Sequence, residues 1–163
     1  MEILEFALEK ERLSREYYHQ LAEKADNSGL THIFEMLVQE EDKHCHIIEQ
    51  MKNNIQGELT ETSVLSDAKD IFAGIKESAE KFDFNISEID LYRQARDKEK
   101  SSRDFYLEKA DQVDNPYHRE IFSKLAEQEQ RHYLLLDNIC EFVSEPECYL
   151  ENAEFVHLAD YPV

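Results

Sequence analysis

The stretch Glu41-Asp42-Lys43-His44 returns 88 residues later as Glu129-Gln130-Arg131-His132. On a helix, residues three apart share a face. Each Glu-x-x-His therefore sets a carboxylate and an imidazole side by side, within reach of one metal ion. The spacing alone is weak evidence in so acidic a chain, because Glu16-His19 and Glu154-His157 show it too. What separates 41–44 and 129–132 is that their surroundings repeat as well.

Laying residues 9–44 over 97–132 without a gap gives 13 identities in 36 positions, several times what unrelated sequences share. They include Glu11/Glu99, Ser14/Ser102, Arg15/Arg103, Tyr18/Tyr106, Asn27/Asn115, Ile33/Ile121, Phe34/Phe122 and Leu37/Leu125, besides both members of each Glu/His pair. Glu16-His19 faces Asp104-Leu107 and is not repeated. Glu154-His157 lies beyond the repeat, in the tail. The chain reads as two related helical hairpins.

Hydrophobic periodicity places those hairpins. Leu4, Ala7, Glu11, Ser14, Tyr18, Leu21 and Ala25 form one helical stripe over 2–26. Leu30, Phe34, Leu37, Glu41, His44, Ile48 and Met51 form the next, over about 30–52. A third helix is expected from a cap at Ser87 to about Val113, with Tyr92, Ala95, Glu99, Ser102 and Tyr106 on its stripe. A fourth runs over about 116–143, capped by Asn115 with Pro116 at its first position, and carries Leu125, Glu129, His132, Leu136 and Ile139. Residues 53–86 are polar and too long for a tight turn. With one short amphipathic helix, about 67–82, they suit a crossover along the bundle, since a 24-residue helix spans roughly 36 Å. The expected architecture is all-α: a four-helix bundle over 1–145, with the crossover between its second and third helices. A partly apolar tail, 146–163, packs on it.

Four Glu on core stripes demand an explanation, because a buried unpaired carboxylate is strongly unfavourable. No Lys or Arg shares the stripes near them. Two divalent cations would balance four carboxylates and two neutral imidazoles, and the neighbours Ala7, Ser14, Ala95 and Ser102 are small. An oxygen-rich set with one imidazole per ion suits iron or manganese better than a structural zinc site. One Glu from each of two helices and a Glu-x-x-His from each of two others is the known arrangement of ferritin-like dimetal bundles. The expected ligands are Glu11, Glu41, His44, Glu99, Glu129 and His132. Tyr18 and Tyr106, two turns beyond Glu11 and Glu99, are placed to hydrogen-bond a ligand carboxylate.

The remaining composition narrows the function classes. A formal charge of −19 argues against nucleic-acid and anionic-membrane partners. Cys45, Cys140 and Cys148 contain no Cys-x-x-Cys, so neither a disulfide framework nor a four-cysteine metal site is indicated. Cys45, beside His44, points about 100° away from it on a helix and reads as packing. The N-terminal residues lack a basic region before an apolar run, and no apolar run approaches a membrane span. The cytoplasm is the expected location.

Glu11, Tyr18, Glu41-x-x-His44, Glu99, Tyr106 and Glu129-x-x-His132 resemble the ligand and tyrosine positions of the rubrerythrin branch of the ferritin-like superfamily. The resemblance covers about 1–52 and 88–143. It implies a dinuclear, carboxylate-bridged centre of two iron ions in a four-helix bundle, usually in a homodimer, that reduces hydrogen peroxide or oxygen; manganese or zinc are alternative occupants. Two features depart from the pattern. Rubrerythrins proper carry a rubredoxin-type domain with paired Cys-x-x-Cys, so the electron donor here is expected to be a separate protein such as a rubredoxin. Ser102 stands where better-known members have an additional Glu, leaving a symmetric four-Glu, two-His set closer to bacterioferritin-type centres. A peroxide- or oxygen-reducing oxidoreductase is the first reading. A ferroxidase or iron-handling protein is the second, and a non-redox, metal-stabilised structural or sensing module the third.

Overall fold

A computed structural model describes residues 2–78, 82–152 and 154–160. The fold is an all-α, ferritin-like bundle, and every regular element among the described residues is helical. The helices are α1 (Glu2–Lys24), α2 (Ser28–Lys52), α3 (Val64–Glu77), α4 (Ile86–Gln112), α5 (Pro116–Ser144) and α6 (Pro146–Glu151), followed by a 3-10 segment, Glu154–Asp160. No helix among these residues is long and apolar enough to cross a membrane.

Side-chain caps set the starts of three long helices. Asn27 accepts from the Leu30 amide at 3.0 Å to open α2. Asn115 accepts from the Tyr117 amide at 2.9 Å and the His118 amide at 3.2 Å to open α5, with Pro116 supplying a preset φ at the first position. For α4 the expected cap was misplaced by two residues. Asn85, not Ser87, takes the cap position and accepts from the Glu88 amide at 2.9 Å. Ser87 instead donates its hydroxyl to Asn85 Oδ1 at 2.6 Å. The crossover helix also differs from expectation, starting at Val64 and ending at Glu77. Residues 79–81 of the expected span lie outside the described residues.

Loops of three residues force α1 against α2 and α4 against α5, and these two hairpins hold the most extensive packing. The hairpins meet each other through far fewer close approaches. Apolar burial falls into two clusters. One joins Tyr18, Leu30, Phe34, Leu37, Tyr92, Leu135, Leu136 and Ile139 to the crossover through Val64, Ala68 and Phe72, and to the tail through Tyr149, Phe155 and Leu158. The other joins Ala7, Leu8, Ile47, Ile48, Met51, Tyr106, Ile121, Phe122 and Leu125. On each of the four long helices a buried ionisable layer lies between them: Glu11 on α1, Glu41 and His44 on α2, Glu99 on α4, and Glu129 and His132 on α5. The bundle therefore has two dry cores and one polar layer.

Candidate metal centre

All six residues are at most 2 % exposed, which removes water as a source of neutralisation. They group into two overlapping sets whose ligand atoms lie within 4.8 Å of one another: Glu11, Glu41, His44 and Glu129, and Glu41, Glu99, Glu129 and His132. Glu41 and Glu129 belong to both. Each set thus holds one carboxylate of its own, one imidazole of its own and two shared carboxylates.

Both imidazoles turn Nδ1 toward the carboxylates. His44 Nδ1 lies 2.9 Å from Glu129 Oε1, 3.4 Å from Glu11 Oε2 and 3.6 Å from Glu41 Oε2. His132 Nδ1 lies 3.4 Å from Glu41 Oε1 and 3.7 Å from Glu99 Oε2. The two rings stack with centroids 5.6 Å apart, inclined by 13°. No described Lys or Arg pairs with any of the four carboxylates.

The electrostatics are those of a layer short of positive charge. Burial and the neighbouring carboxylates push Glu41 and Glu129 well above the usual carboxylate range. Burial acts the same way on Glu11 and Glu99. At Glu11 it is outweighed chiefly by the charge of His44, which holds the carboxyl at about 2. At Glu99 it is outweighed by the hydrogen bond to Glu129 and the charge of His132. Burial alone would lower both imidazoles, but the surrounding carboxylates raise them instead. Without a cation, the layer can approach neutrality only by taking up protons.

Cations fit better than protons on one observation. Glu41 Oε1 and Oε2, His44 Nδ1, Glu99 Oε2, Glu129 Oε1 and His132 Nδ1 are buried and make no hydrogen bond. Each such atom costs about 1–3 kcal/mol if it stays unsatisfied. They are six of the eight such atoms among the described residues, the others being Glu40 Oε2 and His132 Nε2, and two divalent ions would give those six partners at once. The residues present fit a dinuclear carboxylate centre.

The tyrosines reach the layer, but not on their own helix. The Tyr18 hydroxyl donates to Glu99 Oε1 on α4, and the Tyr106 hydroxyl donates to Glu11 Oε1 on α1. Seven residues place each ring about 10 Å along the axis from the Glu on the same helix, so each phenol leans across to the opposite hairpin. Burial and the nearby carboxylates hold both phenols well above the ordinary range, so they remain donors. A Tyr18→Phe or Tyr106→Phe change keeps the ring and deletes the donor. Each is expected to cost roughly 1.5–3 kcal/mol by urea unfolding, the range for a buried bond to a charged group. A loss under about 0.5 kcal/mol, as for an inert surface change, would show that the bond contributes nothing.

The other candidates fall away from the layer. Cys45 is buried, and its thiol is pushed up to about 12 by that burial, so it is a packing thiol rather than a thiolate ligand. His157 is exposed, with Nδ1 3.3 Å from Asp160 Oδ2. The Glu154 side chain lies outside the described residues. His19 pairs on the surface with Glu23 at 3.3 Å.

Two residues that the periodicity did not flag border the centre. Gln128, 3 % exposed, has Oε1 2.8 Å from His44 Nε2 and donates its amide to Thr60 O at 2.8 Å. Glu40, its counterpart in the repeat, is 6 % exposed, accepts from the Thr62 hydroxyl and has Oε2 2.8 Å from Lys43 Nζ. Their only signal in the sequence was a polar residue beside each repeated Glu.

Compared with known proteins, the chain matches the rubrerythrin family model over residues 2–140. No curated protein and no solved structure gives a significant match.

Proposed function

The chain belongs to the rubrerythrin family, and we propose that it is a diiron-carboxylate oxidoreductase that reduces hydrogen peroxide or oxygen with electrons from a separate donor. The observation that carries this reading is the buried layer of four carboxylates and two imidazoles, divided into two sets that share Glu41 and Glu129. Glu41 and Glu129, which belong to both sets, would each help to hold both ions. Glu11 with His44, and Glu99 with His132, complete the two positions.

Bound iron would supply a two-electron couple between diferrous and diferric states. The chain's own groups supply the setting. The Tyr18 and Tyr106 hydroxyls fix the orientation of Glu99 and Glu11. The two apolar clusters on either side keep bulk water from the layer. A cleft of about 190 Å³ between α1 and α4, lined by Lys10, Leu13, Ser14, Lys98, Ser101 and Ser102, opens one turn from Glu11 and Glu99. It supports entry of a small oxidant from that side.

For peroxide the balance is one hydrogen peroxide, two electrons and two protons giving two waters. Protein loaded anaerobically with about two ferrous ions per chain is expected to consume one peroxide per pair of ions. It should then be re-reducible through repeated cycles with its iron retained. Continuous uptake of added ferrous iron would favour iron handling instead. An unchanged metal oxidation state under peroxide and oxygen would overturn the redox reading.

A further inference from the structure

We propose that Gln128 is a positioning residue that makes the two metal positions inequivalent, by locking the His44 ring to the crossover while His132 is left without a lock. The inference rests on the metal-centre reading above and adds an order to the filling of the two positions.

The argument starts at Thr60. A backbone carbonyl can only accept, so the Gln128 group that meets Thr60 O at 2.8 Å is its amide nitrogen. That leaves Oε1 facing His44 Nε2 at 2.8 Å, and a carbonyl oxygen there requires Nε2 to carry the proton. The lone pair available to a metal is then on Nδ1, the atom that already faces Glu11, Glu41 and Glu129. Ring direction and the Nε2–H are therefore set before an ion arrives, leaving Nδ1 as the atom that binds, as partners behind a ligating histidine generally ensure. Thr60 belongs to the crossover between α2 and α3, which Tyr117 also anchors by donating its hydroxyl to Gly57 O at 2.7 Å. The crossover that carries Thr60 is thus tied to α5 at two points.

His132 has no hydrogen-bonded equivalent. Its Nε2 is buried and has no hydrogen-bond partner among the described residues. The residue that repeats Gln128 is Glu40, whose Oε1 accepts from Thr62 and whose Oε2 forms an ion pair with Lys43 at 2.8 Å. The six ligand positions obey the internal repeat; the residue behind them breaks it. A preorganised ligand set binds more tightly than one that must be ordered on binding. The Glu11, Glu41, His44, Glu129 position should fill first, and the Glu41, Glu99, Glu129, His132 position second.

Zinc, being diamagnetic, is the probe. Metal-stripped protein is titrated with Zn(II) by calorimetry while the ring N–H resonances of both histidines are followed by NMR. The expected result is two separable steps, with His44 perturbed before His132 and a protected Nε2–H signal only at His44. Gln128→Met should weaken the first step roughly 10–100-fold, the usual effect of losing such a partner. It should also erase the His44 signal and leave the second step within a few-fold. Gln128→Glu keeps an acceptor opposite Nε2 but loses the donor to Thr60 O, so it should retain the His44 Nε2–H signal and only part of the first step's affinity, a split that a merely structural role would not predict. Equal affinities in the unaltered protein, or an unchanged first step in Gln128→Met, would overturn the assignment of Gln128 while leaving the metal centre standing. Failure of the unaltered protein to bind zinc, iron or manganese would overturn the metal centre itself.

Discussion

Replacing either Glu41 or Glu129 with Ala is expected to empty both metal positions, whereas replacing Glu11 or Glu99 is expected to empty one. The difference follows from the geometry alone, because Glu41 and Glu129 belong to both ligand sets and Glu11 and Glu99 to one each. After anaerobic ferrous loading, elemental analysis should find about two ions per unaltered chain. In Glu41→Ala and Glu129→Ala the ratio should approach none, and in Glu11→Ala and Glu99→Ala it should be near one. A full complement of iron in Glu41→Ala would sink the shared-ligand geometry. The metal-free protein should respond in the opposite sense. Burial and neighbouring carboxylates push both shared groups far up, so Glu41→Gln, which keeps the volume and removes the cost of neutralising a buried carboxyl, should stabilise the metal-free chain. Loss of binding with gain of stability in one substitution is the mark of a site maintained for function at the expense of the fold.

The six ligand candidates were legible because they are three positions written twice. A lone Glu11 on a helix stripe reads as an imperfection; Glu11 and Glu99, both on core stripes and in register with a repeated Glu-x-x-His, read as a site. What is written once was harder to see. Gln128 faces Glu40 across the repeat, and nothing in either residue's type says that one meets a histidine ring and the other Thr62 and Lys43. Tyr18 and Tyr106 were legible as hydrogen-bond donors to the layer, but their partners were not. Periodicity fixes which face of a helix a phenol occupies, and only the packing of α1 beside α4 decides that it reaches the opposite hairpin. Caps show the same limit on a smaller scale. Asn85 and Ser87 are both good capping residues, and the choice between them turned on which oxygen meets the Glu88 amide.

The crossover and the tail carry only partial apolar patterns in the sequence, yet one ring ties them to the bundle. Phe72 of α3 is fully buried. Its ring centroid lies 5.4 Å from that of Phe142 on α5, 5.2 Å from Tyr149 on α6 and 6.1 Å from Phe155 in the 3-10 segment. One side chain therefore joins the crossover, the last bundle helix and both parts of the tail. Phe72→Ala deletes a ring that neighbours on several elements cannot close over together, so the loss should fall in the range of about 3–5 kcal/mol. At roughly 2–4 °C per kcal/mol for a chain of this size, the midpoint of thermal unfolding should drop on the order of 10 °C. Ile55→Ala, at a side chain that is half exposed, should stay within about 0.5 kcal/mol. Phe72 sits in the cluster on one side of the ionisable layer, so the metal-to-chain ratio of Phe72→Ala should match that of the unaltered protein at low temperature. A single shifted transition would make crossover, tail and bundle one cooperative unit. A separate early transition in the unaltered chain, with Phe72→Ala moving only that step, would instead make the crossover and tail a cover that can open while the ionisable layer stays folded.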